Sequence, residues 1–488
     1  MQIFLDFSCK NIIFAADYAG NSHPQLYYPM NKFEKTLSFI RQSIKPDSPF
    51  YGKIYLVGGC VRDELLGERY SDLDLLVDLP SGQKAFVEHM CEAHPDVCKG
   101  PFYYQRYGTT AMDVIIDGSL TLVECVEPHV EEYAEDGVTL LDTRFCTLEE
   151  DSSRRDYTCN ALYKNLHTLE VLDPTGRGIA DLKAGLLVTP SEPGMIYRQD
   201  PVRMLRGIRF KHQKGFRLDP VCWQAIVDNA DAMANAAPKR MRDELNKMLK
   251  SRTFGEGIHD LYVSGLLKYV MPGLDELLAD DALLPAGEEG VTLWNHTRRA
   301  LYVQGREHPR TDTIYKLSCL VCDIAQRHGR EVAAQILLTA GIGHEKVSSI
   351  VHICDLYRRF SGMFRQGTYV ATPRVLPHFI VGLAKHRDNF RRLVRALNTG
   401  LRPEEQLPWR VFYDDGEGPK PREQRTPRTR HRRPDDASAK GTSGDAPTGA
   451  ADAAAPTTTA RKHKRNVKRR EQRKRARRRQ NSDAPAAE

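Results

Sequence analysis

The stretch LVGGCVRDELLGERYSDLDLLVD, residues 56–78, constrains the chain more than any other. KIYLVGG (53–59) is a short apolar, β-favouring run that ends on two glycines. VRDELLGE then reads as one or two helical turns closed by Gly67, and SDLDLLVD (71–78) alternates before becoming apolar, which predicts a strand. Gly58 and Gly59 at the strand end let backbone N–H groups come close to an anion such as a triphosphate. Arg62, close behind, is expected to add a charge-assisted contact to phosphate. Asp72 and Asp74 stand two apart on the predicted strand and so share one face. Two carboxylates side by side repel unless a cation sits between them, and a pair of Mg²⁺ ions bridging a triphosphate and an attacking hydroxyl uses that geometry. A bare DxD reads as an acidic turn. The two glycines and the arginine upstream at this spacing favour a metal site.

A two-metal site calls for a third carboxylate. Glu124, in the strand candidate LTLVECV (120–126), is the first choice, and Asp113, in TTAMDVIID (109–117, ended by Gly118), is its rival. Arg154, Arg155 and Asp156 place two donor forks and one acceptor ahead of Asn160. Asp200, Arg203, Arg206 and Arg209 recur every three residues, which on a helix is a slowly turning stripe. Asp accepts and Arg donates, so Asp200 with Arg203 can read a base edge as a pairing partner would.

Around these residues the fold class reads as α+β. NKFEKTLSFIRQSI predicts a helix within a leader of residues 1–50, and a mixed sheet with helices fills a head over 51–190. After Pro201 the apolar spacing is helical, giving a neck over 191–275 and a helical body over 276–412. Residues 413–488 shift to Pro, Arg, Ala, Thr, Gly and Asp and are expected to be disordered, because they hold too little apolar surface to offset chain entropy. Within them RKHKRNVKRREQRKRARRR (461–479) carries 13 Lys or Arg against one acid, a charge of +12 in a chain whose net charge is +7, which leaves −5 for the rest. Such density is expected to bind an RNA backbone by counterion release.

No apolar run approaches the ~20 residues a membrane helix needs, and the start, MQIFLDFSCKNIIFAAD, has no basic stretch ahead of its apolar part. The expectation is a cytoplasmic protein without membrane contact. The chain has eleven cysteines, an odd number at irregular spacing, which predicts reduced thiols and no disulfides. Cys319 and Cys322 are read as core residues on a helix, and His296 as a lone structural histidine, with no metal-binding His–Asp pair over 290–400.

The 56–78 segment resembles the polymerase-β-type nucleotidyltransferases, in the class shared by bacterial poly(A) polymerases and CCA-adding tRNA nucleotidyltransferases. Three more segments resemble family motifs in order: SRRDYTCNALYKN (153–165), LDPTGRGIADLKAGLL (172–187) and IYRQDPVRMLRGIRF (196–210). The resemblance covers roughly residues 50–270. It implies that Asp72, Asp74 and Glu124 are catalytic, with Asp72 and Asp74 holding two Mg²⁺ ions. It implies that Gly58, Gly59, Arg62, Arg154, Arg155, Asp156, Asn160, Asp200, Arg203, Arg206 and Arg209 bind the nucleotide, with Asp200 and Arg203 selecting the base. Two positions depart from the family pattern: Gln199 stands where the family usually has Glu, and VECVEPH (123–129) lacks the Thr-x-Arg that often follows the carboxylate.

The resemblance implies template-independent addition of nucleotides to RNA 3′ ends, of mRNA or tRNA, with ATP as substrate. DPVRMLR, the arginine-rich end and the length look more like poly(A) polymerase, whereas QRYGTTAMDVII (105–116) looks more like CCA-adding enzymes. A non-catalytic RNA-binding protein and a small-molecule nucleotidyltransferase are further readings. Intact Asp72 and Asp74 speak against the first, and the large helical half with the basic end against the second.

Overall fold

The computed structural model describes residues 30–70, 72–104, 108–133, 140–279, 292–307, 312–365, 386–399, 401 and 406–407. The chain divides after Gly418, and everything described lies in the first unit. The expected disordered end and its basic run therefore fall outside the described residues, as do residues 1–29.

Helix α1 (Lys32–Ser43) starts where the sequence provides a reciprocal cap. The Asn31 side chain accepts from the Phe33 and Glu34 N–H groups at 2.9 and 3.0 Å, and Glu34 accepts back from the Asn31 N–H at 2.8 Å. Strand β1 (Ile54–Val57) is buried along its whole length. It turns through Gly58 into α2 (Gly59–Leu65) and is followed by β2 (Leu73–Val77). Helix α3 (Gly82–Ala93) leads into β3 (Cys98–Tyr104), β4 (Thr109–Ile116) and β5 (Ser119–Val126). A separate antiparallel pair, β6 (His129–Tyr133) and β7 (Leu140–Phe145), precedes α4 (Leu148–Ser153). A 3₁₀ turn (Thr158–Asn160), β8 (Tyr163–Asn165), β9 (Val171–Leu172) and α5 (Gly178–Ala184) complete the head.

Its sheet has seven strands in the order β3-β4-β5-β2-β1-β8-β9. Every pairing is antiparallel except β2 with β5. One face, including Leu56, Leu75, Met112, Val114 and Val123, is buried with Ile40 and Ile44 of the α1 segment and with Phe86, Val87 and Met90 of α3. The segment read as a leader thus contributes to the core of the head from its first described helix onward. The other face carries only a small cluster of Tyr55, Val57, Leu76 and Tyr163. By strand alternation Asp74 and Glu124 project from that second face.

Beyond the head, β10 (Leu186–Leu187) pairs in parallel with β11 (Arg217–Leu218), across α6 (Pro193–Gln199) and α7 (Val202–Lys214). The remainder is helical, as the spacing predicted: α8 (Pro220–Asp228), α9 (Pro238–Met248), α10 (Phe254–Val263), α11 (Leu267–Val270), α12 (Leu274–Leu278), α13 (Leu293–Glu307), α14 (Thr313–His328), α15 (Arg330–Thr339), α16 (His344–Arg365) and α17 (Arg387–Leu397). One core runs from Ile196 to Leu407, so neck and body share their apolar interior. Head and neck meet where Tyr157 enters α7. A Cβ at Gly207 would lie 2.0 Å from the Tyr157 hydroxyl, and that hydroxyl donates to the Arg203 carbonyl at 3.1 Å. A mid-helix glycine costs about 1 kcal/mol against alanine, and this close approach is what requires it.

Cys319 and Cys322 are buried core residues of α14, and all ten described cysteines are free. His296 is not lone. Its Nδ1 bonds Asp323 at 2.8 Å and its Nε2 bonds the Leu397 carbonyl at 2.7 Å. Burial disfavours its charge, but the Asp323 carboxylate and the Leu397 carbonyl outweigh that and raise its pKa. Both ring nitrogens are spent inside the protein, so the pair is structural and offers no metal lone pair. No helix among the described residues is long and apolar enough to cross a membrane.

Candidate active site

A cavity of about 350 Å³ opens where the second face of the sheet meets α7 and α9. Gly58, Gly59, Asp74, Thr109, Glu124, His129, Arg154, Arg155, Asp156, Asn160, Asp200, Arg203, Arg206 and Arg240 line it. Gly58 makes the turn from β1 into α2 at φ +65°, a left-handed conformation that favours glycine.

Asp74 is the only residue of β2 that is not buried. The parallel pairing of β2 with β5 sets it directly beside Glu124. Burial, then the charges of Glu124 and Asp72, push the Asp74 carboxyl up to about 6 despite Arg155 and Arg206 nearby. Glu124 is raised as well, by burial and by Asp72. Asp72 stands just before β2, exposed, and its backbone carbonyl accepts from the Cys60 thiol at 3.1 Å. Asp113 is on the same face of the sheet but opposite Leu122, two pairs further along, and does not line the cavity. Register therefore joins Asp74 to Glu124 and sets Asp113 aside.

Among the described residues no three His, Cys, Asp or Glu side chains already converge closely enough to cage a metal ion. Mutually repelling carboxylates with only oxygen donors are nevertheless what a hard divalent cation such as Mg²⁺ relieves. The donor chemistry fits that ion.

The opposite wall is cationic, and its side chains are held by buried acids. Asp151 is fully buried and binds two cavity arginines at once. Its Oδ1 accepts from Arg154 Nη2 at 2.6 Å, and its Oδ2 accepts from Arg155 Nη2 at 2.8 Å and from the Tyr163 hydroxyl at 2.7 Å. Burial alone would raise the Asp151 carboxyl, but Arg155, Arg154 and the Tyr163 hydroxyl more than reverse that and hold it well below the usual carboxylate range. Asp156 does the same for the neck. It accepts from Arg206 Nε at 2.7 Å and from Asn160 Nδ2 at 3.0 Å. Against its burial, these partners lower its carboxyl to about 2.

Two expected nucleotide ligands are not at the cavity. Arg62 is buried, donates to Asn160 Oδ1 at 2.7 Å and to Asp63 Oδ1 at 2.8 Å, and stacks 4.7 Å from the Phe210 ring centre. It braces Asn160 from behind and does not line the cavity. Arg209 donates to Glu244 Oε2 at 2.5 Å and to Gln213 at 2.9 Å, and it covers Phe210 at 4.1 Å. It ties α7 to α9. The stripe of four residues is also broken at its start, because Asp200 caps the end of α6 while Arg203 lies inside α7. Arg203 Nε stands 3.7 Å from Asp200, whereas Arg240 of α9 makes a two-point bond to it at 2.9 and 2.7 Å.

Asp151, Glu244 and Arg240 are the site residues that sequence reasoning missed. Asp151 had a local signal: TLEEDSSRR carries a capping box at Thr147 and Glu150, with Asp151 three and four residues before the two arginines. Glu244 and Arg240 had none, being 35 and 40 residues from their partners.

Paired carboxylates on a mixed sheet thus face arginines across a cavity floored by a Gly-Gly turn. Residues 54–188 match the family model described as the poly A polymerase head domain, and residues 215–278 match the probable RNA and SrmB-binding site of polymerase A. Residues 54–188 and 215–278 therefore resemble the head and RNA-binding regions of poly(A) polymerases, and relatives of both the poly(A) polymerase and the CCA-adding kind match the chain. It is 31% identical over 226 residues to poly(A) polymerase I of Haemophilus influenzae, covering 45% of this chain and 48% of that one. It is 30% identical over 229 residues to the CCA-adding enzyme of Limosilactobacillus reuteri, covering 46% and 52%. The matched region thus spans about half the length of these curated relatives. Among solved structures, the Bacillus stearothermophilus CCA-adding enzyme in complex with CTP shares the fold, with a TM-score of 0.52, 21% identity, and coverage of 78% of this chain and 81% of that chain.

Proposed function

We propose that the chain is a template-independent RNA 3′-end nucleotidyltransferase, and specifically a poly(A) polymerase that adds AMP from ATP with release of pyrophosphate. The observation that carries this reading is the cavity itself, in which Asp74 and Glu124 stand in register on the sheet opposite Arg154, Arg155, Arg203 and Arg206.

In this reading Asp72 and Asp74, with Glu124 beside them, hold two Mg²⁺ ions, which supply Lewis-acid activation of the 3′-hydroxyl and charge neutralisation on the triphosphate. The chain's own groups do the rest. Gly58 and Gly59 leave the backbone open to the phosphates. Arg154 and Arg155, fixed by Asp151, and Arg206, fixed by Asp156, present charge where negative charge grows on the leaving pyrophosphate. Asp200 and Arg203 face the base. No template is required if these two read its edge.

The choice of adenosine rests on DPVRMLR, on the arginine-rich end, which we assign to the RNA backbone in a cytoplasmic setting, and on the likeness to a poly(A) polymerase I. The second reading is a CCA-adding enzyme acting on tRNA, favoured by relatives of that name at similar identity. Purified full chain given a generic RNA, a tRNA lacking its CCA end, and each nucleotide singly separates them. Long adenosine tails on generic RNA support the proposal, and CTP incorporation confined to the tRNA overturns it. Deleting residues 415–488 is expected to weaken RNA binding and flatten its salt dependence, and unchanged affinity would remove the role given to the basic end.

A further inference from the structure

Asp200 is held by an arginine that no local pattern announces. Arg240 comes from α9, and its two terminal nitrogens donate to Oδ1 and Oδ2 of Asp200 at 2.9 and 2.7 Å. The Val202 N–H adds a longer bond to Oδ1 at 3.3 Å. Arg203, the helical neighbour, reaches only to 3.7 Å through Nε, and its Nη1 is turned onto the Ile196 carbonyl at 3.3 Å. All three side chains line the cavity.

Two adjacent charges of opposite sign at the end of one helix and the start of the next would ordinarily close into a direct ion pair. Closed, they would turn the acceptor and the donor toward each other and away from a base. The two-point grip of Arg240 prevents this. It fixes the carboxylate plane, takes one lone pair from each oxygen, and keeps Asp200 away from Arg203. The remaining lone pair on Oδ2 and the Arg203 fork then stand side by side as an acceptor and a donor. Adenine and cytosine offer the complement, an exocyclic amino group next to a ring-nitrogen acceptor. Guanine and uracil offer a carbonyl and a ring N–H on that edge and would meet repulsion at both points.

We propose that Arg240 is a specificity-determining positioning residue, which holds Asp200 open so that the site selects bases bearing an amino group beside a ring-nitrogen acceptor. The proposal deepens the nucleotidyltransferase reading and rests on it. Arg240 has 43% of its side chain exposed, so its replacement leaves the core intact.

The test is kcat/KM for ATP, CTP, GTP and UTP with Mg²⁺ and a generic RNA, for the full chain, for Arg240→Ala, Arg240→Lys and Asp200→Ala singly, and for Asp200→Ala combined with Arg240→Ala. A site that loses its hydrogen-bonding reading of a base loses discrimination far more than turnover of the poor substrates. Arg240→Ala is therefore expected to lower the preference for ATP over GTP and UTP by about 10–100-fold, through KM more than kcat. Arg240→Lys, with one donor point, is expected to fall between, and the double variant to lose no more than Asp200→Ala alone. An equal loss for all four nucleotides would mean that Arg240 serves the triphosphate as a charge, and it overturns the proposal, as does unchanged selectivity. Equilibrium binding of the four nucleotides to the same proteins reads the base dependence without turnover. A wild-type chain that binds them but extends no RNA counts against the proposed function, whereas base-independent loss on binding counts against Arg240.

Discussion

Replacing Asp151 by Asn probes the cationic wall at the carboxylate that Arg154 and Arg155 share. The side chain keeps its shape and one acceptor oxygen but loses the charge that two guanidiniums share. Removing one partner of a buried ion pair costs about 3–5 kcal/mol. Arg154 and Arg155 keep 20% and 18% of their side chains in contact with solvent, so the lower end, ~3 kcal/mol, is the expected loss. For a domain the size of the head, at ~2–4 °C per kcal/mol, this is a fall in Tm of about 6–12 °C. The pH dependence follows from the sign of the shift. A carboxyl held below its unfolded value stabilises the fold above an unfolded pKa of about 4, and that contribution is lost as pH falls through the folded value. The gap between wild type and variant, read by circular dichroism melts, should therefore hold from pH 7.5 down to about pH 4 and narrow only as pH falls below that. KM for ATP should rise alongside, because Arg154 and Arg155 lose their fixed directions. Equal Tm within about 1 °C at pH 7.5, together with unchanged KM, would refute the clamp.

Asp74→Asn is expected to abolish incorporation yet stabilise the metal-free protein at pH 7.5, by on the order of 2–3 kcal/mol, since the raised carboxyl makes the fold lose stability as pH rises from about 4 through 6. Denaturant melts with and without Mg²⁺ check both this and the expected loss of stabilisation by the ion. Glu124→Gln should lower kcat by about 10²-fold or more while Asp113→Asn stays within a few-fold of wild type, and the reverse order would reassign the third carboxylate. Gly207→Ala, whose methyl would collide with the Tyr157 hydroxyl, should cost about 1–3 kcal/mol and raise KM for ATP by displacing Arg203 and Arg206, as read by melts and steady-state kinetics.

Where chemistry dictates residue type at fixed spacing, the site was legible in the chain. Gly58 and Gly59, Asp74, Glu124, Arg154, Arg155 and Asp156, Asn160, Asp200, Arg203 and Arg206 all line one cavity. The strands bearing the carboxylates were legible too, since β2 and β5 fall on the runs SDLDLLVD and LTLVECV. What spacing does not carry is the partner of a charge. Arg62 and Arg209 have the residue type of phosphate ligands, but Asp63, Asn160 and Glu244 claim them and Phe210 covers them. Arg240 meets Asp200 only because α9 packs on α7. His296 read as lone for the same reason, its partners lying 27 and 101 residues away. The unexpected β6–β7 pair is a matter of topology, with half-polar strands whose alternation is weak.

Incorporation of α-labelled ATP into a generic RNA by the full chain in Mg²⁺ tests whether Asp72 and Asp74 make the head a metal-dependent nucleotidyltransferase. Adenosine tails are expected from the wild type, none after addition of a chelator, and none from the chain carrying Asp72→Ala and Asp74→Ala, whose RNA affinity stays at the wild-type value. Incorporation by that double variant at the wild-type rate would contradict the role given to Asp72 and Asp74.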